Sequence, residues 1–530
     1  MCSKSSSNKQ WDSTWASLPA EIRLLIYEAL AQDGCPLSHL ATVSREWQIE
    51  LEPYNFARIK LTPSRTVDFG SMIHRNRALV GYIWFCLELD NYDCSTCAPF
   101  YLTTDERIKA LIITDTDHCP ITASFETLFS VLSTWEHGRR DLTLDISIHS
   151  PSDSEHWFKY LTFLPDYSPS DRRRCRAGGI EQTTTAKQVH HDPQHGWVAG
   201  FRHSAPPPRA FYKIFHDIMD EGPFESQEVE LEWWNQLPSV PAVTSLLLRQ
   251  QNRRRWKPQS LACMIARFPR LQQLHYEPWR EWGAVQMYTD LDLRVLFDSL
   301  RKRNTNLKRL VVFENFNQQY PVTLQVSHGW PFDWMQCDAH RRPSRSVSRM
   351  MAFASLELEH LAASFLVDAA HFFDAEPSWA WPNLTSLVLT SELLVPDEEE
   401  ATYIGVLLRA AAKAAMKMPR LATMEIWNGR KGLAALFKYQ AFRRMQKAVI
   451  SWRGTWKLTM EPSVLRAWEA VVHQQDGWRL DVAEEWLDEA AIVSHGDAIQ
   501  CLMLSGEVIR PVSLQQIQME QRALEGAGTV

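Results

Sequence analysis

Apolar residues follow two different rhythms along the chain. Near the N-terminus, Ile22, Ile26 and Leu30 fall four residues apart with Leu25 and Ala29 beside them, which makes one apolar face on a helix. Ser17-Leu18-Pro19-Ala20-Glu21 reads as the start of that helix, with Ser17 as cap, a rigid proline, and Glu21 favouring the positive end of the helix dipole. Asp33-Gly34 breaks it. Leu37, Leu40, Ala41, Val43, Ser44 and Trp47 then outline a second amphipathic stretch that fades after Pro53.

From about residue 105 a different phrase recurs: a Leu, two variable residues, a second Leu and an alternating apolar continuation, usually introduced by Pro or Asn. Clear copies begin at Pro269, Thr305, Pro382 and Pro419, and weaker ones lie at 241–248 and 107–113. The second apolar residues Leu246, Leu274 and Leu310 are 28 and 36 residues apart, and Leu387 and Met424 are 37 apart. A further unit is expected between Leu310 and Leu387, with its strand at 353–358. Helical stretches at 261–268, 293–303 and 403–418 separate the phrases, so strand alternates with helix. Each strand-helix unit would bury its apolar face against its neighbours. The expected fold class is α/β: a small helical module followed by an irregular leucine-rich-repeat-like solenoid. An ordinary α/β domain with a parallel sheet is the other architecture this alternation permits.

These patterns divide the chain into a disordered start at 1–14, a helical module at 15–58, a body at 59–512 and a tail at 513–530. A polar, Pro/Gly-rich stretch near 165–210 reads as a mobile insertion, 337–348 as an exposed loop, and the tail as a short helix fraying at Gly526 and Gly528.

The segment LPAEIRLLIYEALAQDGCPLSHLATVSREWQIELEP resembles the F-box, whose pattern runs Leu-Pro-x-Glu-Ile, a helix, a Leu-rich turn, then Val-Ser-Arg-x-Trp. The resemblance implies docking onto a Skp-type adaptor and, through it, a cullin scaffold. By position it implies Leu18, Pro19, Ile22, Leu25, Ile26, Leu40, Val43 and Trp47 as adaptor-contacting or module-core residues. It implies a substrate receptor of an SCF-type ubiquitin ligase, with the body holding an unknown protein target and other subunits performing the chemistry. Over the body the sequence is similar only in style to fungal-type F-box proteins. The alternative is that the same helices cap a stand-alone, leucine-rich-repeat-like interaction scaffold.

Composition narrows the remaining classes. The net charge of −7 argues against a dominant nucleic-acid-binding role. Arg172-Arg173-Arg174 and Arg253-Arg254-Arg255 are read as solvated loops. With 45% apolar residues and 22 tryptophans, a large core is expected. No apolar run reaches the roughly 20 residues of a membrane span. Scattered cysteines suggest reduced thiols, and so a cytoplasmic or nuclear location. Enzyme signatures such as phosphate-cradling glycine loops, G-x-S-x-G and H-E-x-x-H are missing. No catalytic residue, cofactor or metal ligand is therefore assigned. Cys94-Ser95-Thr96-Cys97 has half of a zinc spacing, with Cys86, His118 and Cys119 nearest in sequence to complete it; free thiols are the reading adopted. His190, His191 and His195 fall in the expected mobile insertion, without the rigid placement a metal site needs. Asp115 with Asp117 and Asp290 with Asp292 are read as caps or solvated turns.

Overall fold

The structure is a computed structural model that describes residues 15–33, 37–98, 119–135, 141–167, 191–204, 206–219, 223–280, 286–317, 320, 341–374, 376–397, 401–474 and 477–525. The chain forms two compact units: residues 1–58 with 167–187, and residues 59–166 with 188–530.

The first unit is helical. A 3-10 turn, Trp15–Ser17, leads into α1 (Ala20–Gln32), α2 (Leu37–Leu40) and α3 (Arg45–Phe56). Pro19 occupies the N-cap position of α1 with no side-chain capping bond, so Ser17 does not serve as the cap. Ser44 does cap α3, its hydroxyl accepting from the Trp47 backbone N–H at 3.4 Å. Pro53 lies inside α3 and does not end it. Three rings hold the helices together: Trp15 and Tyr27 are 5.4 Å apart, Trp15 and Trp47 4.8 Å, Tyr27 and Trp47 5.0 Å. An Arg23–Glu46 ion pair links α1 to α3. The expected turn residues Gly34, Cys35 and Pro36 lie outside the described residues.

The second unit carries a 12-stranded sheet in the order β1-β2-β3-β6-β7-β8-β9-β10-β11-β12-β13-β14, and a separate small hairpin, β4-β5. The strands are β1 (Arg58–Leu61), β2 (Tyr82–Glu88), β3 (Leu142–His149), β4 (Trp197–Val198), β5 (Phe201–Arg202), β6 (Val243–Leu248), β7 (Gln273–Tyr276) and β8 (Arg309–Phe313). They continue with β9 (His360–Asp368), β10 (Ser386–Thr390), β11 (Thr423–Arg430), β12 (Leu433–Phe442), β13 (Lys447–Gly454) and β14 (Arg479–Trp486). From β2 to β11 every neighbouring pair is parallel, β11-β12 and β12-β13 are antiparallel, and β13-β14 is parallel again. This is the expected α/β class with a mostly parallel sheet.

The recurring Leu has a direct structural meaning. Ile83, Leu144, Leu246, Leu274, Leu310, Leu361, Leu387 and Met424 stand side by side in register across eight strands. All are at most 1% exposed. The unit expected between Leu310 and Leu387 exists, but its strand is β9 and not 353–358. That stretch instead ends the helix Arg345–Ala354 and turns at Ser355, while His360–Asp368 is the continuous buried run of a strand covered on both faces. The weak phrase at 107–113 lies outside the described residues.

Side chains alternate along a strand, so the residues next to the ladder face the other way. Among them Val311, Phe313, Ala362, Val388 and Trp427 form a core with Ile492, Ala498, Ile499, Leu502, Val508, Ile509 and Ile517 from the end of the chain. The helices His495–Leu502 and Pro511–Glu525 therefore cover this face of the sheet. Buried polar groups fix them there. Glu277 accepts from the Arg510 N–H at 2.8 Å and the Ser513 hydroxyl at 2.5 Å, and Glu425 accepts from the Ser505 N–H at 2.8 Å. Glu520 pairs with Arg253 at 2.6 Å. The expected fraying tail is thus an integral layer. Its Gln-rich sequence reads as exposed, yet Gln516 is buried, accepting from the Thr162 N–H and donating to the Tyr160 carbonyl.

His495 shows the cost of this packing. It stacks on Phe316 at 4.2 Å and its Nε2 meets Asn315 Oδ1 at 2.9 Å, while its Nδ1 is buried without a partner. Burial pushes its pKa down to about 3, whereas a histidine in the unfolded chain titrates near 6.5. As pH falls below about 6.5, the unfolded chain takes up a proton that the folded one refuses. The stability tied to this group is complete above that pH and drains away on acidification, by about 2 kcal/mol between pH 7 and 5. The stability advantage of the natural chain over His495→Gln should shrink by that amount across the same interval, as read by denaturant titration at both pH values.

Candidate functional site

The helical module leaves much of its apolar side uncovered. Ile22 is 43% exposed, Leu25 58% and Val43 64%. Pro19 is exposed beside them, and Leu18, Ile26 and Leu40 are half-buried. Trp47 belongs to the ring cluster that holds the helices together. The sequence-selected set therefore sorts into an outward group, Pro19, Ile22, Leu25 and Val43, and an inward anchor, Trp47. Sequence reasoning passed over Leu24 and Ile49, which are 48% and 61% exposed. They interrupt the four-residue spacing that drew attention to their neighbours.

A second constellation lies in the sheet-bearing unit. The turn after β2 carries Cys94 and Cys97, the segment after β3 carries His156, and the 3-10 turn Pro193–His195 before β4 carries His195. The ligand atoms of Cys94, His156 and His195 lie within 4.8 Å of one another. Cys94 Sγ is 3.6 Å from His156 Nδ1, Cys97 Sγ 3.6 Å from His195 Nε2, and the two imidazole nitrogens are 3.2 Å apart. His156, His195 and Cys97 are buried; Cys94 is exposed. Burial raises the pKa of the Cys97 thiol.

His195 corrects the expectation of a mobile insertion. Residues 168–190, with His190 and Arg172-Arg173-Arg174, lie outside the described residues. The described part of the stretch from 191 on is folded, because Trp197 and Ala210 pack with Phe158, Tyr160 and Leu161. Neither Cys86 nor Cys119 joins Cys94 and Cys97, and His118 lies outside the described residues. Sequence reasoning missed His156 altogether: 62 residues separate it from Cys94, and only the pairing of β2 with β3 brings them together.

The charged candidates are internal. Arg253 pairs with Glu520 and lies 3.8 Å over the Trp279 ring, Arg254 pairs with Asp153 at 2.7 Å, and Arg255 pairs with Asp217. This run is not a solvated loop, since each guanidinium is matched by a carboxylate within the fold. Likewise Arg341, expected in an exposed loop, is buried between Glu314 and Asp290. Asp290 and Asp292 sit on the helix Gln286–Arg303; the first serves Arg341 and the second accepts from Gln259. Asp115 and Asp117 lie outside the described residues. No helix among the described residues is long and apolar enough to cross a membrane.

Residues 302–510 match a family of unknown function (DUF6546). That stretch runs from β8 through β14 into the segment that covers the sheet. No curated protein matches the chain.

Proposed function

We propose that this protein is a non-catalytic substrate receptor of an SCF-type ubiquitin ligase. In this reading the N-terminal helices are an F-box that binds a Skp-type adaptor and, through it, a cullin scaffold. The observation that carries the reading is the exposure of Ile22, Leu25 and Val43, apolar residues at positions where the resemblance calls for adaptor contacts. Water-facing apolar side chains on short helices gain free energy when a partner groove covers them.

The body is read as an irregular leucine-rich-repeat-like array that holds a protein target. Supporting this are the sequential parallel strands, the in-register ladder, and the side-by-side packing of the helices Pro258–Ile265, Gln286–Arg303, Arg345–Ala354, Ala369–Phe373 and Ala401–Ala415. Catalysis would be by proximity, as the receptor raises the concentration of target lysines near a charged conjugating enzyme. Such a receptor would work in the cytoplasm or nucleus.

Hydrogen exchange on the full chain, with and without purified Skp-type adaptor, tests it. Slowed exchange confined to residues 15–56 is expected. Unchanged exchange there would leave the reading of a stand-alone interaction scaffold.

A further inference from the structure

We propose that Cys94, Cys97, His156 and His195 form a structural zinc site that ties together three crossing segments at the carboxyl ends of β2 and β3. The inference is independent of the ligase reading and concerns the sheet-bearing unit alone.

Distances support it first. Zinc bonds of about 2.0–2.1 Å to nitrogen and about 2.3 Å to sulfur, in tetrahedral geometry, put two nitrogens about 3.3 Å apart and a nitrogen and a sulfur about 3.5 Å apart. The observed separations are 3.2 Å for His156 Nδ1 to His195 Nε2, and 3.6 Å for each sulfur to its imidazole partner.

Proton placement supports it independently. His195 Nδ1 meets Asp192 Oδ2 at 2.8 Å, and Asp192 is itself held by Lys159 at 2.9 Å. A carboxylate on Nδ1 keeps the proton there and leaves a lone pair on Nε2. His156 Nε2 sits 3.2 Å from the Tyr92 carbonyl oxygen, which accepts only from N–H and so leaves the lone pair on Nδ1. In those tautomers the ring nitrogens that face each other, 3.2 Å apart and buried, are the two free to bind a metal. The nearby thiols are weak donors, and Cys97 also directs its sulfur to the Cys94 carbonyl at 3.3 Å. A dication would accept both nitrogens and the Cys94 sulfur, with Cys97, beside His195, as the fourth donor. Cys94 and both imidazoles lie within reach of one ion and Cys97 Sγ stands 3.6 Å from His195 Nε2, a sulfur-and-imidazole set that selects zinc over harder cations.

The turn bearing the cysteines is already set. Asp93 Oδ1 accepts from the Ser95 N–H at 3.0 Å, and the Asp93 carbonyl accepts from the Thr96 N–H at 3.1 Å. Exposed Cys94 gives the metal an entry side, while the other three ligands are buried. Cys86, Glu88 and His149 form another three-residue group, but Lys60 stands 2.6 Å from Glu88 and supplies the positive charge there.

The full chain, purified under reducing conditions from zinc-supplemented cells, should carry one equivalent of zinc by inductively coupled plasma mass spectrometry. Exchange with Co²⁺ should give the visible absorption of a tetrahedral thiolate-ligated ion. His156→Gln and, at the exposed ligand, Cys94→Ser should each lower zinc content at least fivefold, while Cys501→Ser keeps it. Reading metal content on whichever variant remains folded separates ligand loss from misfolding. Metal-free folded protein that gives no cobalt spectrum would overturn the assignment. So would a Cys94–Cys97 disulfide, rapid alkylation of Cys97 in untreated protein, or full zinc retention in the folded variants.

Discussion

A chain ending at Asp488 should fail to fold. It would lack Ile492, Ile499, Leu502, Val508, Ile509 and Ile517, all buried against the sheet. At roughly 1.5–3 kcal/mol per buried aliphatic side chain, their loss removes roughly 9–18 kcal/mol of burial, comparable to or larger than the about 5–15 kcal/mol net stability of a domain. Polar terms act in the same direction, because Glu277 would lose the Arg510 N–H and the Ser513 hydroxyl, Glu425 the Ser505 N–H, and Arg253 the Glu520 carboxylate. The measurement is the soluble yield and thermal melt of the truncated chain. Aggregation or a non-cooperative melt is expected; a cooperative melt within a few degrees of the full chain would mean that the segment is only laid over a self-sufficient body.

The largest effect on binding should come from Leu25→Glu combined with Val43→Glu. Both side chains already face water, so charges there cost the fold little, and the melting temperature should stay within about 2 °C of the natural chain's. In a docked groove the same carboxylates would be desolvated without partners, and two contact positions of a hot spot would be lost. Together these should weaken adaptor binding at least about hundredfold, or about 3 kcal/mol. Val67→Glu, at a 74% exposed valine in the sheet-bearing unit, should leave binding unchanged.

Local patterns were legible in the sequence where one interaction dominates. The α1 face and the Leu ladder both follow from short-range periodicity, and the recurring Leu phrase alone marks Leu246, Leu274, Leu310, Leu387 and Met424. Three rungs escaped: no Leu-x-x-Leu phrase marks Ile83 or Leu144, and Leu361 lies in β9, which is buried on both faces and carries no polar alternation. The second sheet face was illegible for a different reason. Its cover comes from the end of the chain, and its buried charges, Glu277, Glu425 and Arg253, look like surface residues until their partners are known. The Cys–His cluster draws on three segments spread over about 100 residues, so no spacing rule could assemble it. His195 looked mobile because its flanking sequence is polar, yet Trp197 two residues later anchors it.

On the proposed reading, the uncovered face of α1–α3 is a docking surface. Calorimetric titration of a purified Skp-type adaptor into the full chain, and into the Leu25→Glu/Val43→Glu variant, tests it most directly. Saturable one-to-one binding to the natural chain and at least hundredfold weaker binding to the folded variant are expected. Equal affinity for the two, or no binding heat with either, would contradict it.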